Sequence, residues 1–533
     1  MSELLQSQLL QPININPVQP HLAESNLFTL SGAGLGPSDL SFNEFNPLFN
    51  RNRLALQASG IAGTQDTLGE EVVQSGVWGP LSYSVGQFHY QTDGFRKNND
   101  FKENIYNIFV QGSLSYKTSL QAELRLTDLK SGDRSLNFFP QDFIPTQRNK
   151  EENTSIRLGF HHAFGPSSDL IGSITYKDLT DKYHDELFGS IYDWNIDADG
   201  YCGELQYLFR AEHLNVVGGG GYFDIDQKDV TLYVIPSIFT LYETKKTDIR
   251  HTNLYLYSQI HYPKNVTITI GASGDFFRGG VVDRNQFNPK LGITWNPFTG
   301  TTLRAALFKT FKRTLITNQT LEPTQVAGFN QFFDDAEATK SWRYGLAIDQ
   351  KFSRNLYGGV EFSKRDLVEV PFELTIPTGT SVLKVDWEEY LGRTYLYWTP
   401  YPWLGVSGEY QYEKFDRGKI FTAGVHYVRT HRVPLGINFY HPSGFSAKLK
   451  VTYVNQKGKF QPQGSPMGSF ESGEDQFWVF DASITYRFPK RYGIITLGAK
   501  NLFDRSFSYQ DMDPVNPLMQ PKRLIYGKFT LAF

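Results

Sequence analysis

The chain has 533 residues, with 52 Lys and Arg against 55 Asp and Glu, and it lacks the basic blocks that a nucleic-acid partner requires. Aromatic residues make up 15% of it, yet mean hydropathy is negative and no run of about 18 apolar residues occurs, which excludes a helical membrane span but not a strand-built one. A single cysteine, Cys202, excludes an internal disulfide and a thiolate metal cluster.

Residues 1–50 are rich in Gln, Pro, Asn and Ser and read as a linker or the remnant of an upstream region. No Lys or Arg precedes Arg51, so the charged and apolar parts of a secretory signal are missing, and a targeting segment is expected upstream of Met1. From residue 51 to 533 the pattern is all-β. Leu120, Ala122, Leu124 and Leu126 alternate with Gln121, Glu123, Arg125 and Thr127, and Ile156, Leu158 and Phe160 alternate with Ser155, Arg157 and His161. Phe445 to Tyr453 and Trp478 to Phe488 show the same two faces.

Short turns recur along this region, at Gly79-Pro80, Pro166-Ser167, Pro263-Lys264, Pro297 to Gly300, Arg354-Asn355, Pro442-Ser443 and Pro489-Lys490 among others. Long polar connections alternate with them, at residues 128–153, 177–200, 224–247, 312–340, 455–475 and 504–522. Two strands per short turn plus one at each end give about 22, the size of the plugged outer-membrane transporters. The expected fold is a transmembrane antiparallel β-barrel with short periplasmic turns and long extracellular loops. A propeller also repeats hairpins, but its strands are short and packed on both faces, whereas charge here recurs down one face of strands about ten residues long.

Two connections are unusually aromatic. Tyr222, Phe223, Tyr233, Ile235, Phe239 and Tyr242 are expected in a loop after Gly221, and Phe329, Phe332 and Phe333 precede Asp334 and Asp335 in a second. Exposed aromatic groups mark solute recognition, and the same groups would serve to pack loops together as a lid. Arg125, Arg157, Arg343 and Arg393, with Glu123, Glu204, Asp349 and Glu409, fall on the lumen face, as a water-facing wall or salt bridges to a plug require. His161 and His162 point to opposite faces of one strand and cannot chelate one metal from it. No phosphate-binding glycine loop, zinc helix or nucleophile elbow is present, so neither catalytic residues, a metal site nor a cofactor is expected.

The last strand alternates Ile525, Phe529, Leu531 and Phe533 against Lys528 and Thr530 and ends on an aromatic residue. With the string Asn501-Leu502-Phe503-Asp504 one hairpin earlier, it resembles the final hairpin of TonB-dependent outer-membrane receptors. That resemblance implies a Gram-negative outer membrane, a lipid surround, and import of a scarce extracellular solute such as a metal chelate, cofactor or glycan, driven by TonB acting on a plug domain. The first fifty residues cannot contain a plug and its coupling box. Either these lie upstream, or another chain supplies them, or the pore serves another purpose. The stretch Phe42 to Arg51, with Gly86 to Phe95, is also similar to exported proteins in which a barrel follows tetratricopeptide repeats, so a polymer-export pore on a periplasmic scaffold is the first alternative. A surface anchor or adhesin barrel is the second.

Overall fold

In the computed structural model the described residues are 54–313, 320–331, 335–376, 379–418, 421, 423–512 and 517–532. The expected linker over residues 1–50 lies outside them, as do Phe332, Phe333, Asp334 and Phe533. The strands are β1 (Leu54–Gly63), β2 (Thr67–Trp78), β3 (Leu81–Thr92), β4 (Phe101–Ser113), β5 (Thr118–Ser131), β6 (Arg148–Gly165), β7 (Ser168–Leu187), β8 (Ser190–Arg210), β9 (Leu214–Ile235), β10 (Phe239–Ile260), β11 (Val266–Arg278), β12 (Arg284–Trp295) and β13 (Thr301–Phe311). A small hairpin, β14 (Gln325–Val326) and β15 (Phe329–Asn330), interrupts the series. The wall resumes with β16 (Lys340–Ser353), β17 (Leu356–Ile376), β18 (Gly379–Tyr401), β19 (Leu404–Asp416), β20 (Val425–Tyr440), β21 (Phe445–Phe460), β22 (Glu471–Arg487), β23 (Gly493–Lys500) and β24 (Leu524–Ala532).

Apart from the small hairpin, these form one 22-stranded antiparallel sheet in which each strand pairs with its neighbour in the chain and β13 passes to β16. The last strand returns to the first, with Gln57 opposite Ala532 and Gly63 opposite Tyr526. This closure removes both sheet edges, which is the condition for strands to cross lipid, where an unpaired N–H or C=O has no water to bond. The string Asn501 to Asp504 shapes the last hairpin. Asn501 and Asp504 both adopt positive φ, the Asn501 amide donates to the carbonyls of Arg505 (2.9 Å) and Gln520 (3.1 Å), and Asp504 Oδ1 accepts from the Arg523 N–H (2.7 Å).

Side-chain period decides which face meets lipid. Leu120, Leu126, Ile156, Leu158, Leu254, Leu256, Leu346 and Leu497 project outward and are exposed, while Gln111, Gln121, Ser173, Gln206, Asn253 and Asn288 point inward and are buried. Beside the short turns lie exposed aromatic residues, among them Trp78, Tyr116, Phe164, Tyr262, Phe298, Phe352, Trp403 and Tyr492. They form the interfacial girdle expected on the periplasmic side.

The alternation changes phase partway up the wall. On β3, Leu81 and Val85 face out and Ser82 and Ser84 face in; higher on the same strand Phe88 and Tyr90 face in and Gln87, His89 and Gln91 face away from the lumen. On β10, Leu254 and Leu256 face out below, whereas above them Ile249 is buried inside and Arg250 is exposed. A strand that has left the bilayer meets water on its outer face, so apolar residues gain only by turning inward. The upper lumen is consequently lined with packed apolar clusters, including Ile61, Val73, Phe88, Phe101 and Ile105, and separately Phe223, Ile225, Ile249, Phe277 and Phe311.

This phase change corrects the expected loops over residues 177–200 and 224–247. β7 and β8 pair without interruption up to Leu187 opposite Ser190, and β9 and β10 up to Ile235 opposite Phe239. Tyr222, Phe223, Tyr233, Ile235, Phe239 and Tyr242 are therefore strand residues of a wall that rises above the membrane. Polar outer positions such as Asp226, Lys228 and Lys246 resemble a loop in sequence because lipid no longer demands apolar side chains there.

Leu346, 64% exposed at the middle of β16, tests the membrane placement. Leu346→Arg is expected to destabilise the lipid-embedded barrel by about 2–4 kcal/mol, measured by reversible denaturant unfolding in phospholipid vesicles.

Candidate functional site

Three connections on the long-loop side fold over or into the lumen. The first joins β13 to β16 and descends along the inner wall. Thr320 donates to the buried Glu204 carboxylate (2.6 Å), which also accepts the Leu321 N–H, and the Leu321 carbonyl accepts from Gln206 on β8. Glu322 accepts from Tyr257 (2.6 Å) and Asn253 (2.9 Å) and pairs with Arg313 (3.1 Å). Glu204 and Gln206 lie in the lower half of β8 and Asn253 and Tyr257 in that of β10, whereas Arg313 follows the upper end of β13. The hairpin β14–β15 then packs flat on the wall. A Cβ at Gly292 would meet Val326 Cγ1 at 2.8 Å, and one at Gly345 would meet Phe329 Cδ1 at 2.5 Å, so these wall positions must stay bare to seat it.

The second connection joins β23 to β24. Phe507 stacks on Phe477 (ring centroids 4.2 Å), Tyr509 accepts from Arg432 (2.5 Å), and Gln510 exchanges bonds with Gln456, its N–H donating at 2.6 Å and its carbonyl accepting at 3.0 Å. Leu136, Val454, Phe477, Phe507 and Tyr509 share one buried cluster. Leu136 belongs to the third connection, residues 132–147 between β5 and β6.

That third segment is a strap. Its root is fixed by the buried Asp133, whose carboxylate accepts from the Ser135 (2.9 Å) and Ile144 (2.8 Å) N–H groups and pairs with Arg96 (3.2 Å). Asn98 and Asn99 donate to the carbonyls of Ile144, Gln147 and Asp133. Its tip docks on another part of the wall. The Leu136 carbonyl accepts from the Asp511 N–H (2.8 Å), the Phe138 N–H donates to Gln510 (3.3 Å), and Asp142 accepts from the Gln463 N–H (3.2 Å). Phe138 stacks on Phe460 with ring centroids 4.4 Å apart and planes 7° from parallel. Around the wall, β5 is separated from β21 by eight strand steps of the 22, so the strap bridges a large part of the mouth. Partial burial raises the Asp142 carboxyl above the usual carboxylate range, and the Gln463 N–H opposes that rise.

The lumen-wall residues occupy inward positions. Arg157 pairs with Glu123, and Arg125 lies one inward position further from the short turn, opposite Asn107 and Ser155. Arg393 pairs with Glu409 (3.0 Å), and Asp349 accepts from Arg304 (2.8 Å). Arg343 donates to the Asn330 carbonyl (3.0 Å) of the inserted hairpin, and Arg365 bridges Glu389 (2.8 Å) and Asp335. Part of the wall's charge thus holds the chain's own connection.

The aromatic residues are dispersed. Phe329 is buried between the wall and the Arg304 and Arg343 guanidinium groups, so it anchors the hairpin and is not offered to solute. Phe223 faces the lumen against His251 (5.4 Å), whereas Tyr222 on the opposite face is exposed and donates to Asp224 (3.0 Å). Tyr233 packs edge-on to Tyr192 and Phe239 near the top of the wall, and Tyr242 is exposed. Phe529 is outward and exposed, and Leu531 belongs to the same closing strand. His161 bonds Asp169 (2.7 Å) and His162 bonds Thr118 (2.9 Å), on opposite faces. Among the described residues no group of three or more His, Cys, Asp or Glu is placed to hold a metal.

Sequence reasoning missed the strap and the Glu204–Thr320–Glu322–Arg313 cluster, because periodicity carries no information about where a long connection lies. Glu322→Ala removes the acceptor shared by Tyr257, Asn253 and Arg313, a loss of about 3–5 kcal/mol for a buried charge pair. Amides of residues 320–331 are expected to lose hydrogen-exchange protection in this variant, while those of β8 and β10 keep theirs.

A sequence model of the family described as TonB dependent receptor-like, beta-barrel, matches residues 124–361. No curated protein matches the chain. Among solved structures, the copper transporter OprC is similar with a TM-score of 0.69 at 12% identity, over 90% of this chain and 80% of that one. The siderophore receptor PiuA from Acinetobacter baumannii gives 0.67 at 11% identity, over 91% and 82%. The FrpB iron transporter from Neisseria meningitidis gives 0.68 at 11%, again over 91% and 82%. At these identities the likeness is one of fold.

Proposed function

We propose that this chain, whose barrel is a TonB-dependent receptor barrel of the Gram-negative outer membrane, captures a scarce solute at its extracellular mouth and imports it through a lumen that is closed at rest. The observation that supports this reading is the inward folding of all three connections. A constitutive pore needs a clear path, whereas here residues 320–331 lie against the lower wall, residues 505–512 against the upper wall, and the strap bridges the mouth.

Opening such a lumen requires work on buried ion pairs, and binding alone supplies it only to the extent that the solute prefers the open state. Energy from the inner membrane, delivered through a plug that lies upstream or is supplied in trans, fits that requirement. In this reading residues 1–50 connect the barrel to such a region. The copper, siderophore and iron transporters of similar fold are consistent with solute import but leave the solute of this chain open.

Planar-bilayer recording of the chain tests the closed lumen. Only small, infrequent openings are expected, and Glu322→Ala should raise their frequency. A large steady current from the unaltered chain would favour a bare export pore instead.

A further inference from the structure

Where the strap meets the far wall, the two enclose a cavity of about 230 Å³. Its polar lining is neutral for the most part and does not serve the fold alone. Ser135, Asn137 and Gln147 on the strap and Gln463 on the β21–β22 connection face the cavity. Among the described residues, the Ser135 hydroxyl and the side-chain amides of Gln147 and Gln463 bond to no other group of the chain, and Asn137 uses only its N–H, to the Asp142 carbonyl (2.6 Å). Asp142 adds a carboxylate with one oxygen on the Gln463 N–H. Phe139 and Phe143 supply apolar ring surface beside these groups.

The charges select against one whole class of ligand. Among the described residues no Lys, Arg or His lines the cavity, while Asp133 and Asp142 do. Arg96, behind the lining, pairs with Asp133 (3.2 Å), donates to the Ser135 carbonyl (2.8 Å) and lies on one face of Phe143 (5.0 Å), and its Nη1 is buried without a hydrogen-bond partner. An anionic chelate would meet the Asp142 carboxylate and, among the described lining residues, no cationic side chain, so the lining disfavours it. Unspent amides and a hydroxyl each offer a donor and an acceptor, which suits paired hydroxyl groups, and aromatic rings suit the C–H faces of a sugar ring. We propose that this cavity binds one ring of a neutral oligosaccharide, held between the strap and the far wall. The inference rests on the import reading and assigns its solute class. It also gives the strap a purpose, since a ligand that touches both sides of the closure is sensed by the closure itself.

Isothermal titration of the full chain in lipid nanodiscs tests it, with neutral gluco-, xylo- and manno-hexasaccharides of α-1,4, β-1,4 and β-1,3 linkage and with ferric citrate as the anionic probe. At least one neutral hexasaccharide is expected to bind, and ferric citrate to give no heat. Gln147→Leu and Gln463→Leu, whose side chains hold no internal bond, should each weaken saccharide binding roughly tenfold, equivalent to one lost hydrogen bond. Gln141→Leu, on the exposed side of the strap, should leave it unchanged. The proposal is overturned if no saccharide binds, if binding ignores the two cavity variants, or if ferric citrate binds and is lost in those variants. That last result would leave the import reading intact. A saccharide bound at the cavity but not taken up by cells would support the site and count against import.

Discussion

Everything in this molecule depends on the pairing of β24 with β1. Lipid offers no partner to a backbone N–H or C=O, so a sheet can live there only without edges, and seven residue pairs from Gln57–Ala532 to Gly63–Tyr526 remove them. Once the sheet is closed, every strand has an inside. The inner side chains then face a space that must be filled by water, by another domain or by the chain itself. Much of the remaining structure answers that demand.

The answer differs with height. Low in the wall, where the outer face must be apolar, the inner face is polar, and it bonds the inserted segment through the Glu204 carboxylate, the Gln206 and Asn253 amides and the Tyr257 hydroxyl. Above the bilayer the outer face meets water, the apolar residues turn inward, and the upper rim becomes a ring of greasy clusters. Leu136 and Phe138 of the strap, and Phe507 and Tyr509 of the last connection, complete two of those clusters. The docking of the strap across the mouth is therefore a product of the same phase change that shapes the strands.

Much of the architecture was legible in the sequence. Alternation such as Leu120 to Thr127, and the short turns that punctuate it, report the strand count because both are local consequences of lipid on one face. The terminal hairpin was legible through Asn501 and Asp504, whose side chains bond the ends of their own loop. The upper wall was not. Tyr222 to Tyr242 read as a loop because the expected polarity was that of a membrane strand, while the true outer neighbours, Asp226 and Lys228, face water. Phe329 was noticed as an aromatic group but its burial against Gly345 depends on the connection folding down onto β16, the strand that follows it, a placement that alternation does not encode. The strap was invisible for the same reason: nothing between Gly132 and Gln147 names Phe460 or Gln510 as partners.

The docked strap is the element on which a closed mouth depends. Pulsed dipolar spectroscopy between nitroxides placed at Gln141 on the strap and Met467 beyond Gln463, in the lipid-embedded chain without solute, measures it directly. A single narrow and short distance is predicted. A broad distribution, or one centred at a separation too long for Asp142 to reach the Gln463 N–H, would contradict a mouth closed by its own strap.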